Sequence, residues 1–204
     1  MQNAEQQNLF NYKIGDLNPE WLSELTSSIS NQNFINEMDN NERVGQRLVH
    51  DVIASYEIDI SGDDQIDENV FEICELLKSD LNNIIDVCGL MLFGTWLRRT
   101  VDPKKLIVFI DIFGEKKLQA AIRAGIEYEP FSNAMVEAER LKEFVRLAGS
   151  RVIAGWSWGL PTNAGAQVRL LLPKNFSNSE SKKKVIETEL AQKILSKIKL
   201  EYSR

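Results

Sequence analysis

The chain has 204 residues, 43% of them hydrophobic and 26% charged, a balance that supports a proper buried core and excludes a disordered or fibrous chain. Its net charge of −6 conceals a division: residues 1–90 carry 18 acidic and 4 basic residues, whereas residues 91–204 carry 12 acidic and 20 basic. Such polarity can steer two different partners, or let one half pack on the other.

The first ten residues are rich in Gln and Asn, with no basic start and no apolar run. No secretory leader is expected, and residues 1–16 read as a flexible lead. Pro19 suits the first position of a helix, with Glu20 and Glu24 placed favourably near its positive end. Asn40 to Tyr56 places Val44, Leu48, Val52 and Ile53 at helical spacing. Ser61-Gly62-Asp63-Asp64 reads as a turn. The acidic run there does not fit a calcium loop. With Asp59 as position one, position six is Asp64 where Gly is needed, and position twelve is Val70 where Glu is needed.

From Asp67, the residues Val70, Phe71, Cys74, Leu77 and Leu81 mark another helix. The most apolar window, Leu81 to Leu97, is interrupted by Asp86 and two glycines and falls short of the roughly 20 residues of a membrane span. It predicts a central buried helix ending in Arg98-Arg99. Cys74 and Cys88 fall inside these helices and read as small buried thiols, not as a disulfide. His50, the only histidine, has no ligand set at metal spacing and reads as a surface or capping residue.

Between Pro103 and Gly125 the local signals conflict. Leu106-Ile107-Val108-Phe109-Ile110 favours a strand by propensity. Asp102 as a cap with Pro103 at the first helical position favours a helix. Ala120, Ala121 and Ala124 make the following segment helical. Val136 to Ala148 predicts a charged amphipathic helix, and a tryptophan-rich stretch follows at Arg151–Leu160. Val168–Leu172, bounded by Pro161 and Pro173, suits a strand or a short helix. Ser177–Lys184 reads as a polar linker, and Val185–Leu200 returns to helical spacing.

For function, one histidine and the lack of a nucleophile–base motif remove most acid–base and covalent schemes, and the glycines form no phosphate loop. No enzyme activity, metal or cofactor is expected. Leu106–Gly125 superficially fits a helix-turn-helix, with Lys116, Lys117 and Arg123 in or near its second helix. That geometry needs an exposed second helix, and the whole chain is acidic.

Three stretches, in order, carry a resemblance. The first is Leu17-Asn18-Pro19-Glu20-Trp21-Leu22. The second is Cys88–Gly125, where a Gly-Leu-Met-Leu segment leads to Arg98-Arg99, a short segment, Gly114-Glu115, and a second segment ending in Arg123-Ala124-Gly125. The third is Gly155–Pro161 followed by Val168-Arg169-Leu170-Leu171-Leu172-Pro173. Across residues 10–173 this order resembles the cytoplasmic K component (SctK/YscK family) of bacterial type III secretion machines. The resemblance implies helices on both sides of Gly114, which decides the conflict over 103–113.

It also implies a cytoplasmic adaptor in the secretion sorting platform, required for protein secretion and virulence. Such a protein joins the cytoplasmic domain of an inner-membrane ring protein to the pod protein, and through it the stator and the ATPase, without a cofactor. It would reach the membrane only through partners, at the cytoplasmic face of the inner membrane, and would not bind nucleic acid. The competing reading is a helix-turn-helix DNA-binding regulator.

The expected fold is all-α, a single-domain bundle of irregular packing. A helical domain spans 17–176, and a linker with an amphipathic helix, able to stand apart, spans 177–204. The residues expected to meet partners are the basic Arg98, Arg99, Lys104 and Lys105, and the tryptophans Trp156 and Trp158 as interface anchors. Arg98 and Arg99 could equally serve the end of their own helix, where cations favour the dipole. The basic patch would meet an acidic partner surface, and the acidic first half another neighbour.

Overall fold

A computed structural model describes residues 17–22, 41–55, 66–100, 102–128, 138–176 and 185–202. The lead over 1–16, the turn at Ser61–Asp64 and the linker at 177–184 lie outside these residues. The described residues are all-α, with no strand among them. They form α1 (Pro19–Leu22), α2 (Glu42–Ser55), α3 (Glu68–Leu92), α4 (Gly94–Arg99), α5 (Pro103–Phe113), α6 (Glu115–Arg123), α7 (Ala138–Ser157), α8 (Thr162–Leu170), a 3₁₀ turn at Lys174–Phe176, and α9 (Thr188–Tyr202). They group into two compact units, one of Met1–Phe71 with Ser157–Lys184, the other of Glu72–Trp156 with Val185–Arg204.

In the first unit, the Asn18 side chain accepts the N–H of Glu20 at 3.1 Å, and Pro19 opens α1 as the sequence predicts. This short helix is held from far along the chain. The Asn18 N–H donates to the Leu170 carbonyl at 3.0 Å, the Trp21 indole N–H donates to the Leu172 carbonyl at 3.0 Å, and the Glu20 carboxylate accepts the Lys174 N–H at 3.0 Å. Val168–Leu172, for which strand and helix were both open, ends α8 in a helical turn whose carbonyls receive the N-terminal motif.

In the second unit, α3 is two helices joined by a kink at Asp80, whose φ of −149° and ψ of 46° are not helical. The Ser79 hydroxyl bonds back to the Leu76 carbonyl, and the Asp80 carboxylate accepts from the Asn83 amide at 2.9 Å. Short polar side chains compete with the helix here and start it afresh. The apolar window beyond does not run unbroken to Leu97. It closes with a bond from the Phe93 N–H to the Leu90 carbonyl, and α4 begins at Gly94.

The sequence places the end of the next helix at Ala148, but α7 continues through Gly149 to Ser157. Val152, Ile153, Ala154 and Trp156 keep its apolar face buried. Gly149 is a point of close approach, not a stop. A Cβ there would fall under 3.0 Å from the Ile85 carbonyl, and one on Gly89 would do the same against Val145. The backbones of α3 and α7 therefore touch. Gly155 serves α9 similarly, against the Ile186 carbonyl. The Thr188 hydroxyl donates to the Gly155 carbonyl at 3.1 Å, and Ala191, Ile194, Leu195 and Ile198 are buried. The C-terminal helix is thus packed into this unit and does not stand apart.

Segment 103–113 is a helix. Asp102 accepts the Lys104 N–H at 3.0 Å, and Pro103 opens the first turn. Its bulky residues find packing that only helical spacing allows. Phe109 and Phe113 stand one turn apart in a cluster with Phe93, Trp96 and Phe144, ring centroids 5.4–6.2 Å apart. Gly114, with φ +85°, turns the chain into α6.

Candidate interaction surfaces

The expected basic patch separates into two kinds of residue. Arg98 is tied into the fold. Its guanidinium donates to the Ile122 carbonyl at 3.2 Å, the Ile126 carbonyl at 3.2 Å and the Thr95 hydroxyl at 3.3 Å. The buried Thr95 hydroxyl in turn donates to the Ile126 carbonyl at 3.0 Å. These bonds collect carbonyls left over where α6 ends at Arg123, just before Gly125, whose φ is +64°. Arg98 therefore caps the helix after next, not its own. Thr95 completes this clamp, and no sequence signal marked it.

Arg99, Lys104 and Lys105 have exposed side chains. The two lysines occupy the first turn of α5, the positive end of the helix dipole, where an acidic residue would stabilise and a cation costs a few tenths of a kcal/mol. Neither dipole nor core therefore explains them. On the same helix Ile107 is 52% exposed and Ile110 37% exposed. Ile107 stands one i, i+3 step from Lys104 on one side and from Ile110 on the other, so it neighbours both on the helix surface, with Phe109 and Phe113 committed to the aromatic cluster. A single exposed isoleucine is ordinary. Two beside the otherwise unexplained Lys104 form a small amphipathic surface, while Lys105, two residues before Ile107, lies on another side of the helix. The sequence pointed to the lysines and missed the isoleucines, because their β propensity obscured which side of a helix they would take.

Two of the three cations that would serve a DNA-reading second helix are engaged elsewhere, and Lys116 is exposed. Lys117 pairs with Asp86 at 2.9 Å, and Arg123 with Glu201 at 3.3 Å. Leu118 and Ala121 turn the other side of α6 into the core. Asp86 also faces Arg146 at 3.9 Å, so one half-buried carboxylate balances two helices.

The tryptophans part company. Trp156 is 2% exposed and lies within the core, which removes it from any docking surface. Trp158 lies past the end of α7, half-buried, with the Arg169 guanidinium 4.0 Å above its ring. His50 is exposed, and Cys74 and Cys88 are buried free thiols. Among the described residues no cluster of three or more His, Cys, Asp or Glu could hold a metal, and no helix is long and apolar enough to cross a membrane. The chain matches no protein-family model, no curated protein and no solved structure.

Proposed function

We propose that this protein is an adaptor of the type III secretion sorting platform, a K component that joins the inner-membrane ring protein's cytoplasmic domain to the pod protein. The observation that carries the reading is the outer face of α5, where Lys104 stands against the helix dipole beside exposed Ile107 and Ile110, with Lys105 exposed in the same first turn. Such a face suits an acidic amphipathic segment, the isoleucines supplying apolar contact and the lysines register and on-rate. It lies inside the Cys88–Gly125 stretch that carries the family resemblance. The all-α fold agrees with an adaptor whose work is geometry, done at the cytoplasmic face of the inner membrane through its partners. The helix-turn-helix alternative is disfavoured by the pairing of Lys117 and Arg123 with carboxylates.

The test is affinity purification from the native bacterium after mild crosslinking, comparing the natural chain with a Lys104→Glu/Lys105→Glu/Ile107→Asp variant. The ring protein, the pod protein and the secretion ATPase should be recovered with the natural chain, and at least one should be lost with the folded variant. Recovery of no secretion component from cells expressing the apparatus would sink the adaptor reading. Unchanged recovery with the variant would remove α5 from the interface.

A further inference from the structure

We propose that the Arg169 guanidinium, laid on the Trp158 ring, receives a carboxylate from an acidic peptide segment of a protein partner. The site belongs to the first unit and is built from four residues. The Trp158 ring lies under the guanidinium, its centroid 4.0 Å from Cζ. The Ser157 carbonyl accepts from Nη1 at 3.3 Å. Gly165 lets the Ser157 carbonyl come close, since a Cβ there would fall under 3.0 Å from that oxygen and would stand 3.1 Å from Nη1. Trp158 and Arg169 are each half-buried, so the stack borders solvent.

This arginine is well held but has no ion-pair partner among the described residues. The ion pairs among the described residues join Lys117 and Arg146 to Asp86, Arg123 to Glu201 and Lys199 to Glu72, and none includes Arg169. Burial pushes its guanidinium down from 12.5 to about 10, with no carboxylate of the described residues acting in the opposite direction. A half-buried cation without a counter-ion is costly, and an apolar side chain of similar volume would cover Trp158 more cheaply. A guanidinium has five N–H donors, and the Ser157 carbonyl uses one. The rest form a planar fork matched to a carboxylate, and its orientation is already fixed by the ring and the carbonyl.

The charge count favours a carboxylate over a phosphate, because one guanidinium balances one monoanion and leaves the second charge of a phosphate unmatched. The half-open stack favours a peptide over a small free acid, which would have one fork to hold and little surface to bury.

The experiment follows the Arg169 Nε–Hε resonance of the full chain by NMR, assigned by its disappearance in Arg169→Lys. The probes are a hexaglutamate peptide, a hexaglutamine peptide, sodium acetate and inorganic phosphate. The expected result is a saturable shift with hexaglutamate, none with hexaglutamine, and at least tenfold weaker effects with acetate and phosphate. Peptide affinity should fall at least tenfold in Arg169→Lys, which keeps the charge and loses the fork. No saturable shift at millimolar hexaglutamate overturns the proposal, as does phosphate or acetate matching the peptide, or an Arg169→Lys variant binding as tightly as the natural chain. Should that variant not fold, the resonance in the natural chain, assigned by elimination among the other arginines, still decides the matter.

Discussion

The indole N–H of Trp21 donates to the carbonyl of Leu172, 3.0 Å away in space and 151 residues away in the chain. Two of the three motifs that carry the family resemblance, the N-terminal Leu17–Leu22 and the C-terminal Val168–Pro173, are therefore one structural feature. Trp21 is only 1% exposed, so the bond lies in the core, where an unmet carbonyl is expensive. Trp21→Phe should retain much of the apolar burial, lose the bond, and cost about 1–3 kcal/mol in urea denaturation. The Asn18 amide, bonded to the Leu170 carbonyl, should lose hydrogen-exchange protection in the same variant. Unchanged stability and protection would mean the helix is not anchored through this bond.

The crossing of α3 and α7 makes a sharper prediction. Alanine is the better helix former by about 1 kcal/mol, so on propensity alone Gly89→Ala and Gly149→Ala should stabilise the protein. Both added methyl groups would instead collide with backbone of the opposing helix, which cannot turn aside as a side chain can. Each substitution should destabilise by about 2–3 kcal/mol or more. The double variant should cost less than the sum, since one displacement of the helices relieves both collisions. Additive losses would show that the two glycines act at independent sites.

Much of the fold was legible because it is written locally. Pro19, the Asp102-Pro103 cap and the apolar spacing of α2, α3 and α9 each declare a helix within a few residues. What stayed hidden depends on partners distant in sequence. Gly149 reads as a helix end until the α3 backbone is seen against it, and Phe109 reads as a strand residue until Phe93 and Trp96 surround it. The same holds for the surfaces. Arg98 looks like the cap of its own helix, yet its carbonyl acceptors lie 24 and 28 residues onward. Arg169 falls in a stretch the sequence singles out, but its distinction stays hidden there, because it lies in the ring beneath it and the lack of an ion pair among the described residues.

The different roles given to Arg98 and Lys104 can be separated by mutation. Arg98→Ala removes the clamp on the Ile122 and Ile126 carbonyls and should cost about 1 kcal/mol, a figure kept low because the side chain is partly hydrated. Its chemical-shift changes should centre on Thr95 and on Gly125–Tyr128, since the Tyr128 N–H shares the Thr95 hydroxyl. Lys104→Ala should leave stability unchanged or slightly raised, because it removes a cation from the positive end of α5. Equal losses in the two variants would contradict the division of the basic patch into a structural and an exposed part.

The buried thiols predict how stability depends on alkaline pH. Burial raises Cys74 from 9.0 to about 12, assisted by the neighbouring Glu75 carboxylate, and raises Cys88 by burial alone. In the unfolded chain both protons leave near pH 9.0, whereas in the folded chain both thiols keep them well above that. Between pH 9 and about 12 the unfolded state therefore binds fewer protons than the folded one, and stability must fall as pH rises. Below pH 9 the two groups contribute no slope. The loss should approach about 1.4 kcal/mol per pH unit for each thiol, and a Cys74→Ala/Cys88→Ala variant should flatten the curve over that window. At pH 8 neither thiol should react with an aromatic disulfide reagent until the chain is unfolded, because attack requires the thiolate. Rapid labelling of the folded protein would show that the helices around Cys74 and Cys88 open far more readily than their packing indicates.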